Sequence, residues 1–158
     1  MFEFTGGRLI AASFPGFPDD LQQKLSSYIR PDAREETEFV VRILTAYRGE
    51  AVPYDFCKQI VKALAPDDKL LGQIQAVLQS TGVVAGEFGL VEAYKQKREA
   101  LVPWLSDEDE RVRAFAAQYI KSLDLQIAAE QRRSEEDIEM RKRMYDDPSV
   151  EDDHDPKE

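Results

Sequence analysis

The chain has 158 residues and a mass of 18.0 kDa, enough for one domain with a substantial core and too little for two large ones. Its single cysteine, Cys57, excludes an intrachain disulfide. The net charge of −10 argues against nucleic acid and anionic membrane surfaces as partners, because binding phosphate requires a concentration of Lys and Arg.

The charge is uneven. Residues 1–101 hold 12 basic and 14 acidic residues (net −2), whereas residues 102–158 hold 9 and 17 (net −8). No apolar run approaches the roughly 18 residues of a membrane span. The N-terminus lacks the basic region of a secretory leader, so a cytoplasmic setting is expected.

In chain order, residues 1–17 read as an N-terminal extended arm. Phe2 and Phe4 alternate with polar neighbours, Gly6-Gly7 predicts a break, and Phe14 and Phe17 lie among Pro15, Gly16 and Pro18. A short strand is possible over residues 8–14. A helical domain then occupies 18–145.

The helical period sets in with Leu21, Leu25, Tyr28 and Ile29 at i, i+4, i+7 and i+8, opened by Asp19 and Asp20 and stopped by Pro31. A second helix carries Phe39, Val40, Ile43, Leu44 and Tyr47, with Gly49 as its stop. A third starts at Pro53 and buries Phe56, Cys57, Ile60, Val61 and Leu64 before Pro66. A fourth follows Asp67 and Asp68 with Leu70, Leu71, Ile74, Val77 and Leu78, closing at Gly82.

After the glycine-rich GVVAGEFG, a fifth helix is expected from about Phe88 to Trp104. The sixth begins at the acidic cluster Asp107–Glu110 and presents Val112, Phe115, Ala116, Tyr119, Ile120, Leu123 and Ile127 on one stripe. Neither Gly nor Pro interrupts it before Asp147. It therefore either overhangs the body or breaks near Ala129–Glu136, where the stripe lapses, and Ile138, Met140, Met144 and Tyr145 predict packing of its last turns. Residues 146–158 are charged and nearly free of apolar side chains, and read as an acidic disordered tail.

Short connections between helices predict antiparallel hairpins, and the segments VVRILTAY, QIQAVLQS and RAFAAQYI align at Val40, Gln73 and Arg113. Spacings of this size are those of helical repeats. The stretch ALVPWLSDEDERVRAFAAQYIKSL, residues 100–123, resembles a HEAT-type repeat in Pro103, Asp107, Val112-Arg113 and Ala116. The resemblance implies an all-α fold of stacked antiparallel hairpins, a HEAT/ARM-like α-solenoid of about six helices with a long C-terminal helix. It also implies a role in binding other proteins, and an Arg113 that reaches an acid of the neighbouring turn.

The acids 107–110 are better read as a helix start than as a metal site: Ser106 or Asp107 caps, and first-turn carboxylates complement the helix dipole. A calcium loop would need ligands spread over about a dozen residues with a central glycine. Cys57 reads as a core thiol, and the one histidine, His154, lies in the tail, so no histidine-dependent catalysis or two-histidine zinc site is expected. Glu35, Glu36 and Glu38 sit in a helix's first turn, where acids are common, and GVVAGEFG lacks the Lys-Ser/Thr of a phosphate loop.

No catalytic residue, cofactor or metal is therefore expected. The expected function is a non-catalytic protein–protein interaction scaffold, with Arg42, Gln73, Arg113 and Tyr119 on the second helices of each pair and Ile138, Met144 and Tyr145 on the C-terminal helix as partner-binding residues. The partner would be another protein. Two alternatives are an acidic inhibitor or immunity-type protein covering a basic partner, and a helical accessory domain of a larger enzyme.

Overall fold

A computed structural model describes residues 3–47, 52–79 and 89–146. Among them the order is α1 (Glu3–Ser13), α2 (Asp19–Ser26), α3 (Arg34–Thr45), α4 (Tyr54–Ala63), α5 (Leu70–Gln79), α6 (Gly89–Leu101), a 3-10 helix (Val102–Ser106) and α7 (Glu110–Tyr145). No strand occurs among the described residues. Gly49, the segment 82–88, His154 and the tail beyond Asp146 lie outside them.

The expected extended arm is instead a helix. Leu9, Ile10, Ala11 and Ala12 favour helix strongly enough to carry Gly6 and Gly7 inside it. Gly7 marks where α1 meets α3: a Cβ there would stand 3.4 Å from both Ala46 Cβ and the Arg42 carbonyl oxygen. The Tyr47 hydroxyl donates to the Phe14 carbonyl just past the end of α1, at 2.8 Å.

The chain then reverses through two left-handed residues, Gly16 (φ 78°) and Phe17 (φ 52°). That conformation is uncommon for a phenylalanine. It drives the Phe17 ring into the core, edge-on to Tyr47 and Phe56 with centroids 5.1 Å away in each case. The Gln22 side-chain amide donates to the Phe17 carbonyl at 3.1 Å and holds the reversal.

Packing places α1, α3 and α5 in one row and α2, α4 and α7 in a second, with α4 also against α3 and α5. The rows bury Val40, Leu44, Cys57, Ile60, Ile74 and Leu78, together with Val112, Ala116 and Leu123 of α7. Most predicted core positions are therefore buried. Phe39 and Tyr28, expected inside, are 50% and 42% exposed.

The fifth helix ends at Leu101, three residues earlier than expected, and continues as the 3-10 turn around Pro103 that buries Trp104. From there α7 returns along α6. Buried Lys97 of α6 donates through Nζ to the carbonyl of Gln79, the last residue of α5. Gln79 also donates from its side chain to Gln126 of α7 at 3.2 Å. The end of α5 is thus tied to both helices of the following hairpin, and the carbonyls a helix leaves unpaired there attract the ammonium. Burial pulls the Lys97 pKa below its ordinary value.

Of the two readings of the last helix, overhang or a break near Ala129–Glu136, the structure has the overhang. α7 is continuous for 36 residues, about 54 Å at 1.5 Å per residue.

Candidate interaction site

The acidic cluster is resolved by hydrogen bonding into two jobs. Asp109, not Ser106 or Asp107, is the N-cap of α7, its carboxylate accepting from the Arg111 backbone N–H at 2.8 Å. Asp107 lies just upstream, where its carboxylate accepts from the Asp109 N–H at 2.9 Å and from Lys58 at 3.2 Å, and forms a looser ion pair with Lys62 at 3.7 Å. Those interactions, the backbone N–H first, hold the Asp107 carboxyl below the usual carboxylate range. Lys58 also stands over the Trp104 ring, 5.3 Å from its centroid.

A second aspartate works the same way at the α4–α5 turn. Asp68 accepts from the Leu70 N–H at 3.0 Å and from the Arg34 guanidinium through two bonds of 2.9 and 3.1 Å. The arginine fork depresses its pKa. Arg34 reaches Glu38 as well, Glu38 reaches Arg42, and Glu36 pairs with Arg30. Glu36, in the first turn of α3, and Glu38, just beyond it, are thereby distributed among arginines.

The expected binding positions divide into three groups. Tyr119 is a correction: it is 1% exposed and edge-on to Phe115, and its hydroxyl has no hydrogen-bond partner. Burial first, then neighbouring Tyr54, Tyr94 and Cys57, raises its pKa well above that of an ordinary phenol. It serves the core between α4, α6 and α7. Its helical spacing with Phe115 and Ala116 carried that signal in the sequence.

Arg113 is exposed but occupied. Its Nη1 donates to the Asp107 and Glu108 carbonyl oxygens at 2.7 and 3.0 Å. The expected partner was a carboxylate; the side chain closes the turn through backbone oxygens instead. Arg42 and Gln73 are exposed on α3 and α5 of the first row, Arg42 paired with Glu38 at 2.7 Å. Because Arg113 lies on α7 in the second row, these positions do not share one row as the aligned segments implied.

Ile138, Met144 and Tyr145 all lie on the free end of α7, with Ile138 and Tyr145 on one face and Met144 about a third of a turn round from them. Side chains are buried along this helix only as far as Leu123. Beyond it α6 gives partial cover, with Val91 and Lys95 beside Gln131 and Glu135. Ile138 is half-buried, and residues 139–146 are all exposed. Met140, Met144 and Tyr145 are 60%, 72% and 91% exposed, so these last turns, expected to pack on something, find no cover among the described residues of the chain. Ile138 follows Ile120, and Tyr145 follows Ile127, by about five helical turns. The core-facing stripe thus continues past the body onto open helix.

Sequence reasoning did not find the open groove of about 420 Å³ between the α4–α5 turn, α5 and the start of α7. Its floor is Val61, Leu64 and Phe115, and its rim includes Asp67, Lys69 and Arg111. The signal available was the cap residues, which place both helix starts at one end of the molecule. Among the described residues no three His, Cys, Asp or Glu side chains cluster as a metal site. Among the described residues, too, no helix is long and apolar enough to cross a membrane. Burial pushes the Cys57 thiol up to about 12, which removes the thiolate that nucleophilic or redox chemistry would need.

Comparison with protein-family models, curated proteins and solved structures finds no match to this chain. What fold and geometry define is an all-helical protein with two rows of helices and a projecting terminal helix.

Proposed function

We propose that the chain is a HEAT-like stack of helices that binds another protein without catalysing a reaction, and that the projecting end of α7 is its principal contact. One observation carries this reading: α7 remains helical through residues 139–145 while burying none of them, and places Met140, Met144 and Tyr145 in solvent. An exposed helical segment that lays side chains into a partner's groove is a common form of protein recognition. Flexible methionines and an amphipathic tyrosine suit it.

An acidic surface that masks a basic partner has less support. Asp68 and Asp107, two of the acids such a face would use, are turned to cations of the chain itself. Of the carboxylates Glu35, Glu36 and Glu38, which an enzyme reading would use, Glu36 and Glu38 are spread among Arg30, Arg34 and Arg42.

The test compares the intact chain with a variant carrying Met140→Lys, Met144→Lys and Tyr145→Lys as baits in extracts of the source cells. The expected result is a partner recovered by the intact chain and lost by the variant, with helical content and melting temperature unchanged. Equal recovery by both would move the contact off α7.

A further inference from the structure

We propose that the exposed end of α7 pairs antiparallel with the same segment of a second copy of the chain, centred on Glu139. This rests on the reading of that end as the contact surface, and it names the partner.

The argument is the order of charge along the helix. Glu135, Glu136 and Asp137 form an acidic block, and Arg141, Lys142 and Arg143 form a basic one, with Ile138, Glu139 and Met140 between them. A parallel copy in register sets acid on acid and base on base. An antiparallel copy turned about Glu139 sets Glu135 opposite Arg143, Glu136 opposite Lys142 and Asp137 opposite Arg141, and the two-fold axis repeats each pair.

The same register brings Arg133 opposite Tyr145, a cation against an aromatic face. Flanking charges of this kind choose both partner and orientation when helices pair, and a two-fold contact requires a surface complementary to itself. On a contact face that includes Glu139, the acidic block of each copy meets the basic block of the other, and only Glu139, on the two-fold axis, meets its own copy. Among the described residues the arrangement is sterically open. Each α6 stops covering α7 near Glu135, so the two bodies lie at opposite ends of the overlap. Glu139 and Arg143, 3.9 Å apart within one helix, are exposed and can exchange partners.

The overlap from 135 to 143 is about 12 Å of helix, a contact of transient size that is expected to form in the range of roughly tens to hundreds of micromolar. The test is sedimentation of the full chain across that range at low and high salt. The expected result is a mass rising toward twice 18.0 kDa at low salt and falling back as salt screens the pairs.

Two charge-reversed variants sharpen it. Glu135→Lys, Glu136→Lys and Asp137→Lys in one chain, and Arg141→Glu, Lys142→Glu and Arg143→Glu in another, are each expected to be monomeric alone and to associate when mixed. Orientation is read by oxidative crosslinking, with Glu139→Cys linking to itself and Glu135→Cys failing to. A chain that stays monomeric, variants that dimerise alone, or a Glu135→Cys that crosslinks as readily as Glu139→Cys would overturn the proposal. A monomeric chain whose heterologous partner is still lost with the lysine-substituted α7 end would remove the second copy and leave the binding reading standing.

Discussion

Lys58 of α4 and Asp107 of the turn before α7 meet at 3.2 Å, and the same lysine lies over the Trp104 ring. One side chain therefore ties the last hairpin to the second row of helices through charge and an aromatic face together. Asp107→Ala is expected to lower the melting temperature by removing a partner from Lys58 and Lys62 and a cap from the Asp109 N–H. A double-mutant cycle with Lys58→Met should show coupling, as contacting charges do. Additive losses would mean that the two residues act independently.

Asp68 and Asp107 both have carboxyl pKa values below the ordinary one. The unfolded chain binds these protons more readily than the folded one, so the stabilisation is fully present at neutral pH. It is lost as pH falls below about 4, through the depressed folded values. Denaturation followed from pH 7 downward should show stability falling in that acid window, with a shallower fall in Asp68→Asn. An identical profile in that variant would remove Asp68 from the account.

The two glycines of α1 are expected to respond oppositely. A Cβ at Gly6 meets nothing within 4 Å, so Gly6→Ala should stabilise by up to about 1 kcal/mol through helix propensity alone. Gly7→Val places branched bulk against Ala46 and the Arg42 backbone and should destabilise by about 1–3 kcal/mol. Chemical denaturation of both variants gives the comparison.

Tyr119→Phe keeps the ring and removes a buried hydroxyl that lacks a partner. The expected change is neutral to about 1 kcal/mol more stable, measured by urea unfolding. In the same protein Cys57, fully buried with its pKa raised to about 12, should resist a thiol reagent until the chain unfolds. Fast labelling of the native protein would show that α4 opens locally.

A chain ending at Ile138 should melt within a few degrees of the full chain, because the exposed residues 139–145 leave no buried contact behind. Circular dichroism thermal scans of the two suffice. A large drop would show that the end of α7 packs on its own body in solution.

Much of the fold is written in local signals. Leu21 and Leu25, Phe56 and Ile60, Ile74 and Val77, and Val112 with Ala116 recur at helical spacing, and each pair is buried in a helix. Pro31, Pro53 and Pro66 fall between helices because the ring removes an N–H that a helix interior needs. The long C-terminal helix was legible in the absence of Gly and Pro from 115 to 146. α1 was not, since the apparent break at Gly6-Gly7 is a close approach to α3, a contact between segments more than thirty residues apart.

The candidate site divides along the same line. Periodicity marks which positions lie on a stripe, and it placed Tyr119 and Tyr145 on helical faces equally well. Whether a stripe is covered depends on which other helix lies beside it, and that is a property of the packed rows. α4 and its neighbours enclose Tyr119, whereas α6 runs out near Glu135 and leaves Tyr145 in solvent. The acids of the turn follow suit: the sequence by itself determined that they begin a helix, because capping is local. Only the tertiary structure decided that Asp109 caps while Asp107 holds Lys58, since the lysine arrives from a helix some fifty residues earlier.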